Sequence, residues 1–491
     1  MATKRETFLQ LAVRLGQDTR ALSTLLLSWN DRYHKDALGI LDGHLRSLGA
    51  ASSEAILGKD PFSGFVSLCA TLKDEIPLIV VVTMKKRKAG QQHYRKVHRR
   101  LIEDLGLRRM DNDVRMANLR AIAYEICLPR LHVPYPGHRH WVYETPEIEA
   151  LWRPHIETGP LPDKRMKRLP MLAEDISQLV HIVPKDKSVI IYDSATGQIA
   201  VAVIRNFCGD QQVVDWAGDV VSLNASLRRN VRKGDPGTLV CIGYTAGSRS
   251  SPCFVWTRNT LSKKHPPEYL KSLECRTASV CSLSFNMMCG RLPDAITQDF
   301  EDFLAEHKFC RMDGNGEMAK KGSTRGTYCV EKAGEFVEFH NAELAPPAAF
   351  MGANYARYVS MALQCMALCS RDNRAMHSEH QPHRYAYSWT TNRNLSDDEG
   401  GNFYVASYGV KVCMAPNTFI AWCPRDVHGT SLMKRDPGRP DPPFAQWGLS
   451  VATSSRLPGI WKKYREGLIS AEQAAKEWEE TLEDDLIDDE K

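Results

Sequence analysis

The chain has no Cys-x-x-Cys pair, its 14 cysteines being scattered. That excludes a zinc ribbon and a thioredoxin-like redox site, and reduced thiols are expected. No apolar run approaches the roughly 18 to 20 residues that span a bilayer, so no membrane association is expected. The opening MATKRETFLQ holds no apolar signal core, which points to an intracellular protein, nuclear or cytoplasmic. Internal repeats and long low-complexity stretches are missing as well, and nothing bears on oligomeric state. What remains is a globular composition, with 43% hydrophobic and 25% charged residues, and 491 residues are enough for two or three domains.

The formal net charge of +5 is small, but charge is unevenly placed. Residues 85 to 100, KKRKAGQQHYRKVHRR, are densely basic, whereas the tail EETLEDDLIDDEK is acidic. Lys85, Lys86, Arg87, Lys88, Arg95, Lys96, Arg99 and Arg100 can neutralise phosphates of DNA or RNA, serve as a nuclear-import signal, or form a solvated helix face.

Residues 7 to 57 carry leucines and Phe8 at spacings of three and four, which predicts helices. A β-like run, IPLIVVVTM at 76–84, leads into the basic segment, itself expected to be helical. The Pro-, Arg- and Trp-rich stretch 129–170 shows no sustained period and reads as a connector. From about 185 the pattern changes to short β runs: SVIIYD and QIAVAVI as a hairpin, then TLVCIGYT and SPCFVWTR. Helices are expected around 293–308, over 349–370 and from Ser470 in the acidic tail. The expected organisation is a mainly helical basic region (1–130), a connector (131–180), a β-rich domain (181–465) and an acidic C-terminal helix or tail (466–491).

The informative chemistry lies between His377 and Thr430. His377-Ser378-Glu379 is a His-x-acid pair, and on an extended segment a period of two puts both side chains on one side. The runs YAYSWTT, NFYVASYGVKV and FIAWCP follow, separated by the turns DDEGG and APN, and they end at His428. Strand, turn, strand, turn, strand, His suits a jelly roll. Two histidines and one carboxylate occupy one side of an Fe(II) ion and leave the other open to O₂ and a cosubstrate. His-x-acid also occurs at His34–Asp36 and His155–Glu157, but neither is followed by β runs and a spaced histidine. His380 and His383 are expected to be polar loop residues. Tyr385, Trp389 and Trp422 are either core or site lining.

These motifs, HSE, YAYSWTT, EGG, NFYVASYGVKV, FIAWCPRDVHGT and FAQWGLSVATS, resemble the TET/JBP superfamily of Fe(II)-dependent dioxygenases. The resemblance covers about 370–456 and extends more faintly back to about 185. It implies an α+β fold with a double-stranded β-helix core and supporting helices, preceded by the mainly helical region. It also implies iron ligation by His377, Glu379 and His428, a 2-oxo acid or ascorbate as cosubstrate, and oxidation of a C–H bond, as of a methylated base in nucleic acid. Two positions depart from the family. Glu379 stands where Asp is usual, and Gln446-Trp447 stands where the last strand usually carries the arginine that clamps 2-oxoglutarate. Arg435, Arg439 and Arg456, with Lys434, are the basic residues nearest in sequence. The same two departures would mark an inactive β-helix that serves as a nucleic-acid or protein binding module.

Overall fold

In the computed structural model the described residues are 3–50, 52–159, 168–228, 237–247, 252–257, 265–314, 316, 323–353, 375–437 and 445–469. The chain divides into two compact units, Met1–Ile102 and Glu103–Lys491.

Strong N-terminal caps start the helices of the first unit. Thr3 and Glu6 form a capping box on α1 (Lys4–Gln17), Asp18 caps α2 (Thr19–Leu27), and Asp60 caps α5 (Pro61–Thr71) with Pro61 in its first turn. Helices α3 (Asp31–Ser47) and α4 (Ser53–Leu57) lie between, and α6 (Leu78–Asp104) follows. Phe8, Leu11 and Leu15 of α1 pack with Leu41 and Leu45 of α3, Phe65 of α5 and Val80 of α6. Each such side chain, fully buried, contributes about 1.5–3 kcal/mol. The β-like run at 76–84 is therefore corrected: from Leu78 onward it forms the first turns of α6. Its β-branched residues favour a strand locally, but Ile76, Val80 and Val81 are needed in a helical core.

The second unit has two facing sheets. Strands β1 (Ala123–Leu128), β5 (Ser188–Asp193), β6 (Ile199–Ile204), β7 (Thr238–Gly247), β8 (Pro252–Trp256), β11 (Ala348–Ala353), β12 (Ala386–Arg393), β15 (Thr418–Trp422) and β17 (Gln446–Val451) form a nine-stranded sheet. Its order is β1-β5-β6-β15-β12-β17-β11-β7-β8, antiparallel except for β1 with β5. The smaller sheet has the order β16 (His428–Thr430), β13 (Phe403–Val405), β14 (Val410–Val412) and β4 (His181–Val183). Val189, Val201, Ile420 and Trp422 of the large sheet meet Phe403, Val405, Val410 and Val412 of the small one in a single buried cluster. The hairpin expected at SVIIYD and QIAVAVI is β5–β6.

Helices cover the other side of the large sheet. On α9 (Gln211–Leu227), Gly218 lets the helix sit against β12 and β17: a Cβ there would meet Asn392 Oδ1 at 2.0 Å. Helix α10 (Pro267–Arg291) is buried over most of its length, and α11 (Asp294–Glu306), expected from the sequence, places Phe300 against Tyr387. Helix α7 (Asn112–Arg120), the hairpin of β9 (Arg325–Lys332) with β10 (Glu335–Glu343), and α12 (Leu457–Arg465) complete the unit.

Three expectations change. The stretch 129–170 carries β2 (Trp141–Tyr143) and α8 (Pro146–Glu157), and β2 pairs with β3 (Met171–Ala173). The helix expected over 349–370 begins as strand β11, inserted between β7 and β17; residues from 354 to 374 lie outside the described residues. NFYVASYGVKV is two strands, because Gly409 takes φ 61° and reverses the chain between β13 and β14. The acidic tail from Ser470 also lies outside the described residues, and among those described no helix is long and apolar enough to cross a membrane.

Candidate metal centre

The segment before β12 and the start of β16 meet at one antiparallel bridge. His377 N–H donates to the His428 carbonyl at 2.9 Å, and His428 N–H donates back at 2.8 Å. Their rings lie 4.5 Å apart. Glu379, two residues on from His377, falls on the same side, and its N–H donates to Pro424 O at 2.7 Å. The surroundings hold this segment firmly: Met376 N–H donates to His140 O, and Met376 packs with Val142 of β2 and Tyr404 of β13. The stretch expected to be a connector thus buttresses the site from outside the small sheet.

Ring orientation follows from backbone acceptors. Nδ1 of His377 lies 2.7 Å from Ala375 O, and Nδ1 of His428 lies 2.8 Å from Asp426 O. A carbonyl only accepts, so each Nδ1 carries a proton, and a ring that is neutral then turns its Nε2 lone pair the other way. His377 Nε2 is 2.9 Å from Glu379 Oε1. A lone pair facing a carboxylate oxygen at that distance calls for a proton or a cation between them. One ligand atom from each of His377, Glu379 and His428 lies within 4.8 Å of the others, and all three residues are buried. A carboxylate taken out of water costs several kcal/mol, which a bound cation offsets. Gln381 braces Glu379: its Oε1 accepts from Thr453 N–H at 3.3 Å, and its Nε2 lies 3.5 Å from Glu379 Oε2.

The nearby aromatic residues separate. Trp422 stands 5.5 Å from the His428 ring, and its Nε1 and the hydroxyls of Ser388 and Thr430 are buried without a hydrogen-bond partner among the described residues. Trp389 instead faces the helices and donates to Asn417, while Tyr385 donates to Ile199 O; both are core. His380 is exposed, as a loop residue should be. His383 is not such a residue: it is buried between Phe300 and Phe303, its Nδ1 is 2.6 Å from Tyr385 O, and burial pushes its pKa down to about 4.

The candidate cosubstrate arginines are engaged elsewhere or not described. Arg435 pairs with Glu399 at 3.2 Å, Arg456 donates to Gly247 O at 3.2 Å, and Arg439 lies outside the described residues. Arg393 is a buried arginine that was not among the residues expected near the site. It stands on β12 in register with Gln446 of β17, donates to the Gln446 amide oxygen and to Gly400 O (2.7 Å), and is 7% exposed. A bulge between Thr390 and Asn392 turns Asn392 toward α9 and brings Arg393 to the loop entering β13. An arginine at the end of a β run was the available signal.

On the far side of the small sheet, Lys411 bridges Glu144 and Glu174 at 2.7 Å each, and Tyr404 donates to Glu174 at 2.6 Å. In the first unit, Lys85, Lys86, Lys88, Arg95, Lys96, Arg99 and Arg100 are exposed on α6. Arg87 is the exception, with Nε donating to Ser28 Oγ at 2.9 Å and the guanidinium over the Phe62 ring.

No protein-family model matches this chain, and no curated protein does. Among solved structures, the chain is similar to NgTET1 in complex with 5mC DNA, at 8% sequence identity and a TM-score of 0.31, covering 70% of this chain and 90% of that one.

Proposed function

We propose that His377, Glu379 and His428 hold Fe(II), and that the chain is a 2-oxoglutarate-dependent dioxygenase on a double-stranded β-helix, oxidising a C–H bond of a methylated base in nucleic acid. The observation that carries this is the buried cluster itself, in which backbone carbonyls fix both imidazole tautomers and a carboxylate faces an Nε2 lone pair. Two neutral imidazoles and one carboxylate fit Fe(II) and leave half of its coordination sphere open. Bound there, the ion supplies O₂ activation coupled to decarboxylation of the 2-oxo acid.

The chain's own residues do the rest. Ala375 and Asp426 carbonyls hold the rings, Pro424 and Gln381 hold Glu379, and Trp422 and Phe403 exclude water beside His428. Arg393 supplies a buried guanidinium one strand away from the place where the family carries it, for the distal carboxylate of the cosubstrate, and the Ser388 and Thr430 hydroxyls add donors between the sheets. The methylated base rests on the motif resemblance over 370–456.

The test is anaerobic addition of Fe(II) and then 2-oxoglutarate, followed by visible absorption. A charge-transfer band from the chelated 2-oxo acid is expected, and it should vanish in His377→Ala. Failure to bind Fe(II) would overturn the metal assignment. Iron binding without the band, together with turnover on ascorbate, would replace the cosubstrate. Mass spectrometry of methylated DNA after incubation checks the substrate.

A further inference from the structure

Helix α6 is divided lengthwise by charge. At 3.6 residues per turn, Lys85, Lys86, Lys88, Arg95, Lys96, Arg99 and Arg100 fall within about half of the helix circumference and along about 22 Å of its axis. All seven are exposed, and among the described residues none of them enters an ion pair. No Asp or Glu occurs between Ile76 and Ile102 to moderate them. The other half of the circumference is occupied. Arg87 folds onto Ser28 and Phe62, Gly90 lies against Trp29, the Tyr94 ring lies tilted against Trp29 at 4.9 Å, and Leu101 is buried. Seven like charges on one rigid surface repel one another, and a polyanion relieves that repulsion.

We propose that this face of α6 binds the phosphate backbone of duplex DNA, whether or not the His377 cluster holds a metal. Two features select this polyanion. The helix's tyrosine is turned inward onto Trp29, so it offers no platform on which a single-stranded base could stack. A helix about 10–12 Å across fits the major groove of B-form DNA, about 12 Å wide, but not the deep, narrow major groove of A-form RNA.

The experiment is fluorescence anisotropy of the full chain with a labelled duplex, repeated over a series of salt concentrations. The logarithm of the binding constant should fall with the logarithm of salt by about 0.9 per phosphate neutralised. The variant Lys85→Gln/Lys88→Gln/Arg95→Gln/Arg99→Gln changes only exposed side chains, and its circular dichroism should match the parent's. It should flatten the slope by about 3 to 4. Arg87→Gln should leave the slope where it is, since that side chain faces inward. Duplex RNA of the same sequence should bind more weakly. An unchanged slope in the quadruple variant, equal or tighter binding of duplex RNA, or capture by phosphatidylserine vesicles in place of DNA would each overturn the proposal.

Discussion

His377 and His428 share one antiparallel bridge, each donating its backbone N–H to the other's carbonyl, which holds the two rings 4.5 Å apart. A divalent ion that joins these rings to Glu379 binds only the folded chain, so stability should rise with metal concentration. At a free concentration of one hundred times Kd the gain is about 2.7 kcal/mol. Thermal unfolding with and without Fe(II) or Mn(II), under argon, measures it. His428→Ala should abolish the gain.

Glu379→Asp should weaken metal binding about 10- to 100-fold, a loss of the size seen when a metal site's supporting groups are disturbed. The backbone at Glu379 is tied to Pro424 O at 2.7 Å and cannot advance to make up for the missing methylene. Isothermal titration with Mn(II) decides. Tighter binding by the aspartate variant would show that the longer side chain is a handicap.

Arg393→Gln should raise the KM for 2-oxoglutarate at least tenfold while leaving metal affinity within a factor of two, as expected when a buried charge-assisted contact is lost. Because Gln446 is its cross-strand neighbour, Arg393→Gln/Gln446→Arg moves the guanidinium to β17 and should restore part of the loss. No recovery, with the fold intact, would argue that Arg393 is structural.

His383 gives stability a pH dependence of known sign. Burial holds its folded-state pKa at about 4 against 6.5, so between those values the unfolded chain binds the extra proton. Stability from this group is complete above pH 6.5 and falls as pH drops toward 4, by about 3 kcal/mol in all. Urea midpoints from pH 7 to 4.5 test it. His383→Phe, which keeps the packing on Phe300 and Phe303, should remove that portion of the slope.

Lys411→Met should destabilise the fold by about 3–5 kcal/mol, because it leaves the Glu144 and Glu174 carboxylates buried without their shared cation. Burial pulls the Lys411 pKa down, but the two carboxylates more than offset that and raise it overall. Its contribution is therefore complete below the ordinary lysine value and is lost only as pH climbs through the raised one. Denaturation at pH 8 and pH 11 would show the difference between parent and variant shrinking at the higher pH.

The iron-site candidates were legible because period two and a spaced histidine survive any detail of the intervening turns. Arg393 was not, because the Thr390–Asn392 bulge resets the alternation on which such inference rests. Ile76–Met84 misled for a related reason: a β-branched run has the same composition in a buried strand and in the buried first turns of α6. Helix α9 shows Val213, Ala217, Val220 and Val221 at helical spacing after the Asp210 cap and could have been found. Buried from Thr277 to Gly290 except for Asn286, α10 has too little polar contrast to reveal a period.

The bridge between His377 and His428 also gives the chain a clock. These residues are far apart in sequence, so their pairing is a non-local contact that pays loop-closure entropy before it gains anything, and such contacts form slowly. Both imidazoles take their places through that one pairing. During refolding, the ability to capture a metal ion should therefore appear only when the two ends of this long loop have met, later than the individual helices of the first unit, whose backbone hydrogen bonds are local.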